Sequence, residues 1–140
     1  MEYQQTFRPD LDLVYTRFGA EVSLAEIRRC AVDTFRDPLY RPGMRELVDF
    51  RATVTADAQL GFRTLNEIHE LQATWIRNLR RGGRVVLVAT ADLIFGLCRI
   101  YASLAEQPDL PVSCCRDWRA ACKLLDLDPG VELAARSAEG

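Results

Sequence analysis

The chain has 140 residues, 49% of them hydrophobic and 27% charged, with a formal net charge of −2, which is the balance of a single globular domain. At this length folding buries roughly two-thirds of the unfolded chain's surface, so a core forms without metal or disulfide staples. The charge draws in neither nucleic acid nor anionic lipid, no apolar run nears the ~20 residues that span a bilayer, and "MEYQQTFRPD" lacks a signal-peptide pattern; the reading is a cytoplasmic protein with no membrane insertion.

In chain order, "EYQQTF" and "LDLVYTRF" are β-prone runs joined through Arg8-Pro9-Asp10, which predicts an opening hairpin ended by Gly19. "SLAEIRRCAVDTF" carries Ser23 and, three residues on, Glu26, a capping box, with Leu24, Ile27, Ala31 and Phe35 at helical spacing. "RDPLYRPG" breaks the pattern, and "MRELVDF" then reads as a strand. From Asp57 to Arg80, the spacing of Leu65, Ile68, Gln72, Trp75, Ile76 and Leu79 predicts a helix that Gly61 interrupts, with Thr64 and Glu67 as a second capping box.

"RRGG" at 80–83 supplies cations to the last helical turn and glycine beyond it. "RVVLVA" is apolar on both faces, as a central buried strand is. A helix over 91–107 stops near Pro108, "PVSCC" is a short strand, and Asp117 caps "WRAACKLL", with Trp118, Ala121, Cys122 and Leu125 on one face. The last residues have few large apolar groups, which divides the chain into a domain over 1–128 and a frayed tail over 129–140. The expected architecture is an α/β mixed sheet, an N-terminal β-hairpin followed by alternating helices and parallel strands with right-handed crossovers.

Five cysteines, Cys30, Cys98, Cys114, Cys115 and Cys122, form no C-x-x-C pair and read as reduced structural thiols, with Cys114 and Cys115 on opposite faces of their strand.

Three stretches carry a resemblance: "PGMRELVDF" at 42–50, "RVVLVATADLIFGLCRIY" at 84–101 and "VSCCRDWRAACKLL" at 112–125. With them the chain resembles the SpoIIAA-like family, small bacterial proteins related to STAS domains and more distantly to CRAL-TRIO lipid-binding domains. The resemblance implies the fold more than an activity. STAS proteins of the anti-anti-sigma type are switched by a phosphorylated serine just after a strand ending in an Asp-containing motif. Here Asp49 stands at the comparable strand end, but "FRATVTADAQLG" has no Ser-Gly pair and offers only Thr53 and Thr55. Leu124 stands where many relatives have tryptophan, and reads as a core substitution.

In open α/β sheets ligands bind beyond the carboxyl ends of the strands. Those ends carry Asp49 and Arg51, then Thr90 and Asp92, then Arg116 and Asp117, making Asp49, Arg51, Thr90 and Asp92 a candidate ligand site. Asp92 and Asp117 also begin helices, where capping accounts for both, and Asp49 would be tied to a neighbouring loop amide or to an arginine such as Arg51. No G-x-S-x-G, P-loop or G-x-G-x-x-G occurs, and the single His69 builds no metal set, so no catalytic residue, metal or cofactor is assigned. Arg77, Arg80, Arg81 and Arg84 could hold an anion, although cations at a helix C-terminus are already accounted for.

On a wheel of the 91–107 helix, Leu93, Ile94, Leu97, Cys98, Ile100, Tyr101 and Leu104 gather on an arc toward the sheet, while Asp92, Gly96, Arg99 and Ser103 lie opposite. Phe95 borders that outer strip. Gly96 costs about 1 kcal/mol against alanine in a helix, so it invites a reason. Phe95, Gly96, Arg99 and Ser103 form the candidate interface with a protein partner or a second copy. The leading functional expectation is a non-enzymatic interaction or regulatory module of STAS-like type. The alternatives are a carrier of a small apolar or lipid-like ligand, with Phe62, Trp75 and Phe95 lining its pocket, and an enzyme using the strand-end carboxylates.

Overall fold

In a computed structural model, which describes residues 3–71 and 74–133, the opening runs pair as expected. Strands β1 (Tyr3–Arg8) and β2 (Leu13–Phe18) form an antiparallel hairpin, turned by a short 3-10 segment at Pro9–Leu11 and by Asp12 in the left-handed region. The helix α1 (Leu24–Arg36) starts at the predicted capping box, where Ser23 Oγ accepts from the Glu26 amide and Glu26 accepts from the Ser23 amide. Strand β4 (Arg45–Asp49) follows and lies parallel to β2.

One short strand before α1 and one after β4, β3 (Glu21–Val22) and β5 (Thr55–Ala56), are too short to show a period and pair in parallel as a separate small sheet. Beyond β5 the expected helix over 57–80 is two helices, α2 (Phe62–Leu71) and α3 (Thr74–Arg80). Gln72 lies outside the described residues, as do the side chains of Ile68 and Trp75. Thr64 sits inside the first turn of α2 and is not its cap: its hydroxyl accepts from the Gly61 amide and donates to Gln59 O.

Strand β6 (Val85–Val88) is buried along its whole length, paired in parallel with β4 and with β7 (Val112–Cys115). Helix α4 (Asp92–Ala105) connects them, and α5 (Trp118–Leu124) follows β7, capped by Asp117 onto the Ala120 amide. The main sheet has the order β1-β2-β4-β6-β7, mostly parallel, with the hairpin at one edge.

Alternation along the strands sorts the core into two faces. Phe18, Phe50, Val85 and Leu87 meet Ile94 and Cys98 of α4, with Ile27 and Cys30 of α1 alongside. Leu13, Tyr15, Leu47, Val86 and Val88 meet Ala121 and Leu125 of the α5 segment on the other face. Leu133 joins this second cluster at 3% exposure, and Arg8 donates to Glu132 O, so residues assigned by composition to the start of a frayed tail are packed on the sheet. Residues 134–140 lie outside the described residues.

Two expectations about side-chain placement are corrected. The apolar arc of α4 does not face the sheet alone: Leu97, Ile100 and Leu104 pack with Leu65 of α2, and Leu93, one turn before Leu97, is 59% exposed. Leu124 is a surface residue and Leu125 fills the core, so the replacement of tryptophan there is no core substitution. All five cysteines are free, and Cys114 and Cys115 do point to opposite faces. Burial pushes the Cys115 thiol up to about 11 and that of Cys30 to about 12, which keeps both protonated and unreactive.

The glycines of "RRGG" divide the work. Gly82, at φ +84°, takes the left-handed conformation that ends the α3 turn. Gly83 permits backbone approach, since a Cβ there would lie 2.9 Å from Gly43 O and 3.1 Å from Met44 O. Gly83→Ala is expected to destabilise the protein by about 1–3 kcal/mol. Gly96→Ala, with nothing within 4 Å of the new Cβ, is expected to stabilise by up to about 1 kcal/mol. Urea midpoints of the two variants check the contrast.

Candidate functional site

Strand β4 delivers Asp49 to the carboxyl end of the sheet on the same face as Tyr15, two residues before its register partner Arg17. Asp49 is 2% exposed, and its carboxylate accepts from Tyr15 OH at 2.5 Å, the Arg51 amide at 2.9 Å and Arg51 Nε and Nη2 at 3.0 and 2.9 Å. The Arg51 guanidinium lies 4.2 Å from the centre of the Trp118 ring. Burial pushes the Asp49 carboxyl up, but the Arg51 and Tyr15 hydrogen bonds outweigh it and hold the acid below its ordinary range. Tyr15 moves the opposite way, raised by burial and by the carboxylate it serves.

The other strand-end residues join through Arg116. Its Nη2 donates to Thr90 O at 2.6 Å and to Asp92 Oδ1 at 2.7 Å, and its guanidinium stacks on Phe95. Thr90 Oγ1 in turn donates to Arg51 O. The structure therefore brings Asp49 and Arg51 into direct contact, and connects Thr90 and Asp92 to them only through backbone carbonyls and Arg116. Asp92 makes no side-chain cap for α4, contrary to expectation, because the N-cap position falls on Ala91; Asp92 lies in the first turn, in a surface ion pair with Arg116. Tyr15 and Trp118 were missed as parts of this cluster, since each looks like a core residue until the register places it beside Asp49. Both strand-end carboxylates are paired with arginines, Asp49 buried against Arg51 and Asp92 on the surface with Arg116.

Gly96, Arg99 and Ser103 are exposed on the outer side of α4, and the space a Gly96 side chain would fill is open. Phe95 is half-buried against the core beneath Arg116, so it borders this strip without standing free of it. Thr53 is fully buried and its hydroxyl donates to Gly19 O at 2.7 Å, whereas Thr55 is exposed.

Between the sheet and helices α1, α2 and α4 lies a recess of about 110 Å³, walled by apolar groups such as Phe18, Phe50, Leu65, Ile94 and Leu97. Phe62 and Phe95 do not line it; Phe62 is 62% exposed on the first turn of α2. Its polar end is an ion pair: Arg80 donates to both Glu46 oxygens at 2.9 and 3.0 Å and to Tyr101 OH at 2.9 Å, over the Phe35 ring. Desolvation opposes the charge on Arg80, but Glu46 and Tyr101 more than offset it and raise its pKa. Among the described residues, no group of three or more His, Cys, Asp or Glu is arranged to hold a metal ion.

No family model matches the chain, and no curated protein matches it. Among solved structures it is similar to an uncharacterized DUF3478-family protein with a SpoIIAA-like fold from Shewanella loihica PV-4, with 12% identity and a TM-score of 0.54 over 88% of this chain and 93% of that one. At that identity the likeness shows the fold, which is SpoIIAA-like, in agreement with the sequence resemblance.

The depressed pKa of Asp49 fixes a sign. A carboxyl lowered on folding stabilises the protein above its unfolded pKa, and that stability is lost as pH falls through the folded value. Asp49→Asn is expected to cost about 1.5–3 kcal/mol at pH 7. The gap to the wild type should narrow in acid below the ordinary carboxylate range, as read from urea midpoints across pH.

Proposed function

We propose that this SpoIIAA-like domain is a non-enzymatic, cytoplasmic interaction or regulatory module whose outer α4 strip meets a protein partner, in the simplest case a second copy of the chain. The observation that carries this reading is Gly96, a costly helix residue that opens onto solvent with Arg99 and Ser103 beside it and nothing within 4 Å of a Cβ. A bare backbone lets another helix approach closely, and arginine is favoured at interfaces. The burial of Asp49 in four hydrogen bonds supports a structural role for that strand-end carboxylate over a catalytic one. The net charge of −2 speaks against nucleic acid, and among the described residues no helix is long and apolar enough to cross a membrane. Gly96→Glu places a charge at the centre of the strip. A dimeric mass for the wild type and a monomeric mass for the variant, by light scattering, are expected; a wild-type monomer would overturn self-association through this face.

The recess favours a second reading, a small apolar ligand. At about 110 Å³ it is somewhat smaller than the ~150 Å³ apolar cavities that take up benzene, which sets the occupant at one ring or a few carbons. Native mass spectrometry of protein purified from its host should show a bound mass of that size. Filling the recess by Ala31→Leu should remove it, and a protein that arrives without any added mass would sink this reading.

A further inference from the structure

We propose that a cleft at the opposite, amino end of the sheet binds a small organic phosphate. The cleft has a volume of about 270 Å³ and lies between the last turn of α3 and the chain that follows α4. It is separate from the α4 strip and shares only Arg80 with the apolar recess.

The walls are tied to one another by hydrogen bonds. The turn after α3 is bound to the turn after α4 by the Gly82 amide donating to Asp109 O at 2.9 Å and by Arg81 Nε donating to Asp109 Oδ2 at 2.6 Å. Gln107 and Leu110 exchange backbone hydrogen bonds in both directions, which fixes the second turn. Arg80 is locked by Glu46 and Tyr101.

The donor inventory is what points to an anion. A guanidinium has five N–H groups. Arg80 uses three of them on Glu46 and Tyr101, and Arg81 uses one on Asp109, so both retain donors. Arg77, on the adjacent turn of α3, has no hydrogen bond or ion pair among the described residues. His69 reaches the same cleft from α2. Burial first, and then the charges of Arg77 and Arg80, lower its pKa, with Glu70 opposing them.

A helix C-terminus accounts for arginines near its carbonyls, but not for three of them and a histidine facing one cleft with unused donors. Donors converging from α2, α3 and the following turn suit the several oxygens of a phosphate better than a planar carboxylate. The facing wall sets apolar Ala105 and Leu110 beside Gln107 and the Arg81-paired Asp109, and the volume exceeds that of the anion alone, so the phosphate would carry an organic body.

The test uses the full chain with inorganic phosphate and phenyl phosphate, titrated at constant ionic strength against sodium chloride, with the His69 ring protons followed by NMR. Both phosphates should shift the His69 signals saturably, with phenyl phosphate about tenfold tighter through burial of its ring. Arg77 is exposed, so Arg77→Gln should leave the melting midpoint unchanged while weakening both ligands about tenfold, and Arg81→Gln should weaken them as well. Chloride reproducing the shifts, or affinity indifferent to Arg77→Gln, would overturn the site. Phenyl phosphate binding no more tightly than inorganic phosphate would overturn the organic body.

Discussion

The arrangement turns on one buried ion pair. Arg80 ends α3 and Glu46 opens β4, and the two meet almost without solvent, with side-chain exposures of 10% and 8%. A pair like this is retained only when its remaining hydrogen-bonding capacity is met, because desolvating two charges costs several kcal/mol per ion. Tyr101 of α4 supplies one more partner, and the Phe35 ring of α1 lies against the guanidinium. Three helices and a central strand are thereby positioned on a single guanidinium. The pair also divides the interior: the apolar recess lies on one side of it and the cationic cleft on the other. Polar chemistry and greasy space are thus neighbours in this domain without mixing.

A second organising feature lies at the other end of the same strand. Asp49 collects Tyr15, Arg51 and, through Arg51, Trp118, so the hairpin, β4 and α5 are tied on the second face. Strand β4 therefore carries one ionic anchor at each end, facing opposite sides of the sheet. This also explains why the usual binding edge of an α/β sheet is occupied by the protein's own side chains, while space for ligands lies within the first face and at the amino end. The fold shared with the Shewanella loihica protein fixes where the strand ends fall, and the chemistry placed there belongs to this sequence.

Much of this frame could be read in the sequence, because its signals are local. Ser23 and Glu26 announce α1 within four residues, and "RVVLVA" declares its two-sided burial by composition alone. The alternating order of strands and helices gave the parallel sheet, and Asp49 was rightly paired with Arg51. What escaped depends on distant partners. The two-residue strands β3 and β5 have no period to detect. The wheel of α4 could not know that its apolar arc is shared between the sheet and α2, which left Leu93 outside. Glu46 reads as the polar half of an alternating strand until Arg80, far along the chain, is brought to it. Gly83 looks like helix punctuation until Gly43 O is found against it.

The pairing pattern also governs how the chain reaches this state. Only the hairpin joins strands that are near in sequence; Leu13 must find Arg45, and Glu46 must find Val85, before the parallel sheet exists. Loop-closure entropy is met before such contacts return anything, which slows folding relative to helical bundles of similar size. Until α4 and α5 close over it, the Val85–Val88 segment is an uncharged β-forming run with both faces bare, the kind of stretch that associates between chains. Keeping β6 from such association is therefore the work of the helices that sandwich it.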